Sequence, residues 1–155
     1  MIGLLIVLFI AHYVADFLLQ TRKMGKNKSV QFKFLLGHIA IIFGMFFVPM
    51  FVYYLQCLPD DDLQTTIMVA SICAFTFSAL NALIHGVIDW FIWRFYKLNV
   101  RRRLDKDPWH ELAAENSLEI ENPWKYWEDS HFYATIGLDQ LLHALTLFLL
   151  LGWLA

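Results

Sequence analysis

The stretch AHYVADFLLQTRKM, residues 11–24, decides the class of fold. It completes an apolar run that begins at Met1, places His12 and Asp16 inside that run, and ends in the basic residues Arg22 and Lys23. A helix of about 20 such residues crosses the hydrocarbon layer of a bilayer. The run has neither a basic segment before it nor a small-residue cleavage site after it, so we interpret it as a mature transmembrane helix and not as a signal peptide.

Three more apolar runs of similar length follow, and the composition agrees with a membrane protein. Hydrophobic residues make up 59% of the 155 residues, and so short a chain cannot bury that much apolar surface in its own core. Within lipid each span must be helical, because a helix satisfies its own backbone groups. We predict an all-α integral membrane protein, a four-helix bundle forming one membrane domain of residues 1–155. The predicted spans are about 1–20, 34–56, 67–93 and 132–154, with a cytoplasmic interfacial loop at about 96–130.

The basic residues predict the topology. All twelve Lys and Arg residues fall within 22–33 and 94–125, whereas the second loop and both termini contain none. By the positive-inside rule, both basic regions are cytoplasmic and both termini are extracytoplasmic. The run Arg101–Arg103 suits anionic headgroups. Cys57 and Cys73 are interpreted as apolar fillers, with no disulfide framework.

The loop between the third and fourth spans has a pattern of its own. Asp107-Pro108 is typical of a helix start, and Asn122-Pro123 is typical of a break. Between them, helical spacing of apolar residues predicts a short amphipathic helix on the membrane surface. The residues in that pattern are Trp109, Leu112, Ala113, Asn116 and Ile120, followed by the interfacial aromatics Trp124, Tyr126 and Trp127. This segment could be a lid over a site or a connector that lies on the membrane.

The polar residues inside the spans indicate a site. Three spans carry a His and an Asp four residues apart, which places both on one helix face, and the second span carries a lone His. In each pair the Asp is nearer the cytoplasmic end and the His is deeper, so the pairs can meet at one level. The predicted metal ligands are His12, Asp16, His38, His85, Asp89, Asp139 and His143. The predicted supporting groups are Gln20, Asn81 and Gln140. Taken alone, His38 is more readily a hydrogen-bonded packing residue than a ligand, and an interhelical hydrogen bond is an alternative for any single pair.

The cost of buried charge favours a metal. Three ionised aspartates facing lipid would cost on the order of 8–10 kcal/mol, at about 2.5–3.5 kcal/mol each. No Lys or Arg lies in the middle of a span, so we expect no basic side chain to pair with them. Imidazole and carboxylate together are a normal ligand set for one or two divalent ions, with zinc, manganese or iron as the candidates.

These motifs resemble a family of small membrane proteins of bacteria and their phages that is catalogued as a domain of unknown function. The strings AHYVADFLLQTRKM, GHI, LIHGVIDW and LDQLLHA carry the resemblance, which covers essentially the whole chain. It implies a multi-pass protein of the bacterial inner membrane. More loosely, the repeated His-x-x-x-Asp is similar to proteins described as membrane-bound metal-dependent hydrolases, which implies metal-dependent hydrolysis here.

Three hypotheses for the function follow. The first is a metal-dependent hydrolase acting on a phosphoryl- or acyl-containing substrate at the cytoplasmic leaflet, with a metal-bound water as the nucleophile. The second is a subunit of an ion, proton or metal transporter, and the third is a non-catalytic membrane interaction protein. The expected partners are the lipid bilayer and an anionic lipid or lipid-linked phosphate, with a homo-oligomer as a further candidate and no nucleic acid.

Overall fold

The computed structural model describes residues 2–58, 62–104 and 130–154. The prediction of an all-helical protein with four long apolar helices is confirmed. The first of these helices is α1, Ile2–Tyr13, continued by a π-helical segment, Val14–Leu19. After it come a short helix α2, Arg22–Asn27, and three long helices: α3, Phe32–Cys57; α4, Leu63–Leu104; and α5, Ser130–Leu154.

The π-helical segment lies where the sequence predicts an ordinary helix. It carries Asp16 in its first turn, and Gln20 after it is already extended backbone. A π turn widens the helix locally and is found frequently at functional sites. Asp16 is buried within this widened turn.

Helix α4 is longer than the predicted third span. It contains 42 residues and continues past residue 93 to Leu104. Arg101–Arg103 therefore form its last turn, although the sequence places them at the opening of a loop. Cations at a helix C-terminus are favourable because the macrodipole is negative there. Pro59, Asp60 and Asp61, the predicted amphipathic helix at Trp109–Ile120 and the aromatics at 124–127 lie outside the described residues.

The segment between the first two spans, 21–31, is held against α4. Thr21 begins α2 by accepting a hydrogen bond from the backbone N–H of Met24. The Lys97 ammonium of α4 donates to the Lys26 carbonyl at 2.5 Å and to Ser29 Oγ at 2.9 Å. We call this end of the molecule the basic end, because it holds both the first basic segment and the C-terminal end of α4.

Ring contacts place α5 antiparallel to α4 and α1. Phe132 lies 5.9 Å from Trp93 near the basic end, and Phe148 lies 5.9 Å from Phe9 at the other end, centroid to centroid. Helix α3 runs through Pro49 without interruption to Cys57. At the far end, Asp62 begins α4 by accepting hydrogen bonds from Thr65, which hold the pKa of this carboxyl below its usual range.

The half of the bundle away from the basic end is a packed apolar core. Its fully buried members come from all four long helices. They include Leu8, Ile42, Phe46, Met50, Phe77 and Leu147. The outer surface is also apolar, with Leu149 and Trp153 each 73% exposed. A bundle that is apolar outside and polar at one level inside matches a lipid environment.

Candidate metal centre

The seven side chains predicted as ligands come together inside the bundle, toward the basic end. Each is at most 7% exposed. They come from all four spans, and the three His/Asp pairs keep their shared faces, with nitrogen–oxygen distances of 3.2–3.5 Å within each pair. The sequence predicts that the three pairs lie at one height along the bundle, and in the structure they do lie together there.

Four ligand-type atoms converge most closely, and we call them the quartet: Asp16 Oδ1, His38 Nε2, His85 Nε2 and Asp89 Oδ2. His38 Nε2 lies 3.1 Å from Asp16 and 3.2 Å from Asp89. His85 Nε2 lies 3.3 Å from Asp16 and 3.2 Å from Asp89. The two Nε2 atoms are 3.0 Å apart. Five distances among four atoms thus fall within 3.0–3.3 Å.

These spacings fit the ligands of one metal ion. With bonds of about 2.0–2.1 Å, two ligands lie about 3.3 Å apart at the tetrahedral angle and about 3.0 Å apart at a right angle. Hydrogen bonds alone do not explain the arrangement, because an imidazole nitrogen carries at most one proton. His38 Nε2 faces three acceptor-type atoms at 3.0–3.2 Å, and one proton can serve only one of them.

Unpaired polar atoms agree with this fit. Within the part of the chain that the structure describes, seven nitrogen or oxygen atoms of the predicted ligands are buried without a hydrogen bond, and five of them have another cluster atom 3.1–3.5 Å away. These five are His12 Nε2, Asp16 Oδ1, Asp89 Oδ2, Asp139 Oδ1 and His143 Nε2. Buried polar atoms are rarely left unpaired, and those that are need an explanation such as an ion. A divalent cation would satisfy them together.

Three more ligand-type side chains adjoin the quartet at Asp16, and we call them the trio: His12, Asp139 and His143. Asp16, Asp139 and His143 offer ligand atoms that all lie within 4.8 Å of one another, and so do His12, Asp16 and His85. The His85 and His143 rings stack at 3.8 Å, and the His12 ring lies 5.0 Å from His143. The buried His and Asp groups could therefore hold one metal ion or two, with Asp16 between them.

The three predicted supporting groups differ in position. Gln140 Nε2 donates to Asp16 Oδ2 at 3.2 Å and to Asp139 Oδ2 at 3.3 Å, so it fixes the two carboxylates relative to each other. Gln20 lies against Gly25 of α2 instead, with its Oε1 buried. Asn81 is buried on α4 one turn beyond His85, and no hydrogen bond in the described residues joins it to the cluster.

The expectation that no basic side chain pairs with the aspartates is wrong. Lys28 is 4% exposed, and its ammonium lies 2.6 Å from Asp89 Oδ1 and 3.5 Å from His38 Nε2. Sequence reasoning placed Lys28 in a solvated basic loop, because counting residues measures the depth of the backbone and ignores the reach of a lysine stem. The sequence holds one indication of this contact: Asp89 lies within about two helical turns of the basic end, which is within reach of a lysine side chain.

The structure is thus a bundle of four long apolar helices that could span a membrane, with His and Asp side chains buried at one level inside it. The chain belongs to the family described as "Protein of unknown function (DUF3307)", whose model matches residues 4–154. Neither a curated protein nor a solved structure matches it.

Proposed function

We propose that this protein is a metal-dependent hydrolase of the bacterial inner membrane, acting on a phosphoryl- or acyl-containing lipid at the cytoplasmic leaflet. The observation that carries the proposal is the quartet: four ligand-type atoms from three spans, with five mutual distances of 3.0–3.3 Å. A divalent ion held there would act as a Lewis acid and activate water for attack on a phosphoryl or carbonyl centre. The candidates from the ligand types are zinc, manganese and iron.

The protein's own groups would hold and shield that ion. The quartet supplies two carboxylate oxygens and two imidazole nitrogens, and Gln140 orients Asp16 and Asp139 through its amide. Groups that orient ligands in this way contribute strongly to metal affinity. The buried position keeps bulk water out, which strengthens the electrostatic interactions of the site.

A groove between α4 and α5 supports an amphiphilic substrate. It has a volume of about 450 Å³ and runs along the two helices from their ends at the basic end. Ile92, Phe95 and Leu138 give it apolar walls, and Arg102 and Arg103 lie in its lining at the basic end. Leu138, at the end of the groove away from the arginines, directly precedes Asp139 on α5. Apolar walls with guanidinium groups at one end suit a lipid with an anionic headgroup.

The apolar core favours an enzyme over a transporter. An ion pathway needs polar groups on both sides of its central site. Beyond the cluster the interior is filled by Leu8, Phe46, Phe77 and Leu147, each at most 1% exposed. Among the described residues, the buried polar side chains of α4 beyond His85 are the uncharged Asn81, Ser78 and Thr66.

The test is hydrolysis by purified protein in mixed micelles of mild detergent and bacterial phospholipid. We expect release of inorganic phosphate or of fatty acid that requires added Zn²⁺, Mn²⁺ or Fe²⁺ and is lost on chelation. The matched variants are Asp16→Asn, which removes a quartet oxygen, and Asp62→Asn, which makes the same change at an exposed aspartate at the opposite end of the bundle. Activity should be lost in the first and kept in the second.

Metal-loaded protein that releases neither product would contradict the hydrolase assignment while leaving the metal centre in place. Metal uptake into proteoliposomes would then favour the transporter.

A further inference from the structure

Lys28 is a fixed internal cation and not a surface lysine. Its ammonium contacts Asp89 Oδ1 at 2.6 Å, and the residue is buried. Its neighbour Ser29 is 1% exposed and accepts a hydrogen bond from Lys97 of α4. Lys97 also bonds the Lys26 carbonyl. The backbone on either side of Lys28 is therefore held in place, and its side chain points into the bundle.

The charges of the cluster can be counted. Asp16, Asp89 and Asp139 carry three negative charges, and histidines that bind a metal are neutral imidazoles. Of the lysines and arginines in the described residues, Lys28 alone pairs with one of these carboxylates. In this metal-binding protonation state, the ligands and Lys28 together carry two negative charges, not counting the ion. One divalent ion brings the total to zero, and two bring it to two positive units.

Uncompensated charge is costly in a buried, low-dielectric site. The two ligand groups, the quartet and the trio with the shared Asp16, offer room for two ions. With Lys28 present, however, the cluster is electrically neutral only when it holds one divalent ion. Without Lys28, the one-ion form carries one negative charge and the two-ion form one positive charge, so charge no longer opposes the second ion and excess metal can fill both groups.

We propose that Lys28 takes the place of a second metal cation, so that the resting protein saturates with one divalent ion. This rests on the metal centre of the proposed function. Lys28 is then a positioning residue, since it acts through Asp89 and His38, and it determines metal number by charge. The quartet, which has the tighter spacing, holds the ion, and the trio remains empty until the charge of Lys28 is removed.

The experiment is a saturation measurement with Mn²⁺ alone, in which detergent-purified, metal-stripped protein is equilibrated with excess ion, desalted and analysed for bound metal. We expect one ion per chain for the wild type and for Lys26→Met, an exposed lysine two residues earlier. Lys28→Arg keeps the charge and should also bind one. Lys28→Met removes the charge with little change in volume and should bind two.

The possible results distinguish the role of Lys28 from the existence of the metal centre. Two ions in the wild type overturn the proposal, even if Lys28→Met does not fold. One ion in both the wild type and a folded Lys28→Met also overturns it, while leaving the metal centre intact. Two ions in Lys28→Met together with one in Lys28→Arg support it. Absence of bound metal from the wild type instead contradicts the proposed function itself.

Discussion

Among the individual residues, Asp16 is the one whose two carboxylate oxygens face different parts of the cluster. One of its oxygens faces His38 and His85, and the other faces His12 and accepts from Gln140. It belongs to the quartet and adjoins the trio, so its removal disturbs both groups. Asp89 has a different role, because one of its oxygens belongs to the quartet while the other is neutralised by Lys28.

The first prediction concerns Gln140, whose amide holds two carboxylates together. Replacing it with Leu removes both hydrogen bonds and keeps the side-chain size. Since partners that orient metal ligands contribute about 10–100-fold in affinity, we expect the Gln140→Leu protein to bind Zn²⁺ about 10–100-fold more weakly. Competition with a chromophoric chelator measures the constant.

Gln64→Leu is the matched control, because Gln64 is an exposed glutamine at the start of α4. It should bind as the wild type does. Equal affinities in all three proteins would show that Gln140 does not position the ligands.

The sequence was sufficient for the seven cluster residues and insufficient for Lys28. His and Asp inside apolar runs stand out because lipid excludes them, and four-residue spacing fixes their common face. Lys28 lies outside every apolar run, and only the path of the chain after α2 turns its side chain inward. Gln20 is the opposite case, a residue that the sequence places beside the cluster and the structure does not. Its spacing after Asp16 predicts a position next to the ligands, but the helix ends before it and its side chain lies against Gly25.

At the scale of helices, close packing of α3 and α4 sets the geometry of the quartet. Gly86 follows His85 and is opposite Ile39, which follows His38. A Cβ atom at Gly86 would lie 2.8 Å from Ile39 Cγ1 and closer still to Cδ1. The absence of a side chain at this position therefore lets the two histidine-bearing turns approach.

The second prediction is that Gly86→Ala destabilises the protein. Inserting a methyl group into such a contact typically costs about 1–3 kcal/mol, and the shift falls on the turns that carry His38 and His85. We expect a lower melting temperature in detergent, together with weaker Zn²⁺ binding. Thermal unfolding followed by circular dichroism, with and without Zn²⁺, measures both.

Gly137→Ala provides the comparison, because a Cβ there meets nothing within 4 Å. It should be neutral or slightly stabilising, since Ala favours a helix by up to about 1 kcal/mol over Gly. A melting temperature for Gly86→Ala equal to that of Gly137→Ala would refute the packing argument.

Helix boundaries were predicted less well than helix positions. Hydropathy ends near Trp93, but a helix can continue into the interface, and α4 does so with Arg101–Arg103 in its last turn. The π-helical segment Val14–Leu19 was not predicted, because no residue type in VADFLL distinguishes a π turn from an α turn.

At the scale of the whole molecule, the basic end holds the cluster, and the positive-inside rule predicts that this end is cytoplasmic. Cys57 ends α3 at the opposite end and is exposed, whereas Cys73 is only partly exposed within α4. In a Cys73→Ser background, we expect a membrane-impermeant maleimide to label Cys57 in intact spheroplasts.

Lys26→Cys, in a chain without the two native cysteines, reports on the other side. Its side chain is exposed at the basic end, so it should be labelled only after the membrane is opened. The reversed pattern of labelling would place the basic end outside and would contradict the assignment of the cytoplasmic leaflet.

The most direct test of the metal centre is elemental analysis of protein purified in mild detergent without chelators, with Asp16→Asn purified in parallel. We predict near-stoichiometric zinc, manganese or iron in the wild type and a large loss in Asp16→Asn, with both proteins monodisperse. Wild-type protein free of metal that gains no thermal stability from added Zn²⁺ or Mn²⁺, or equal metal in both proteins, would contradict the claim that the buried His and Asp side chains bind an ion.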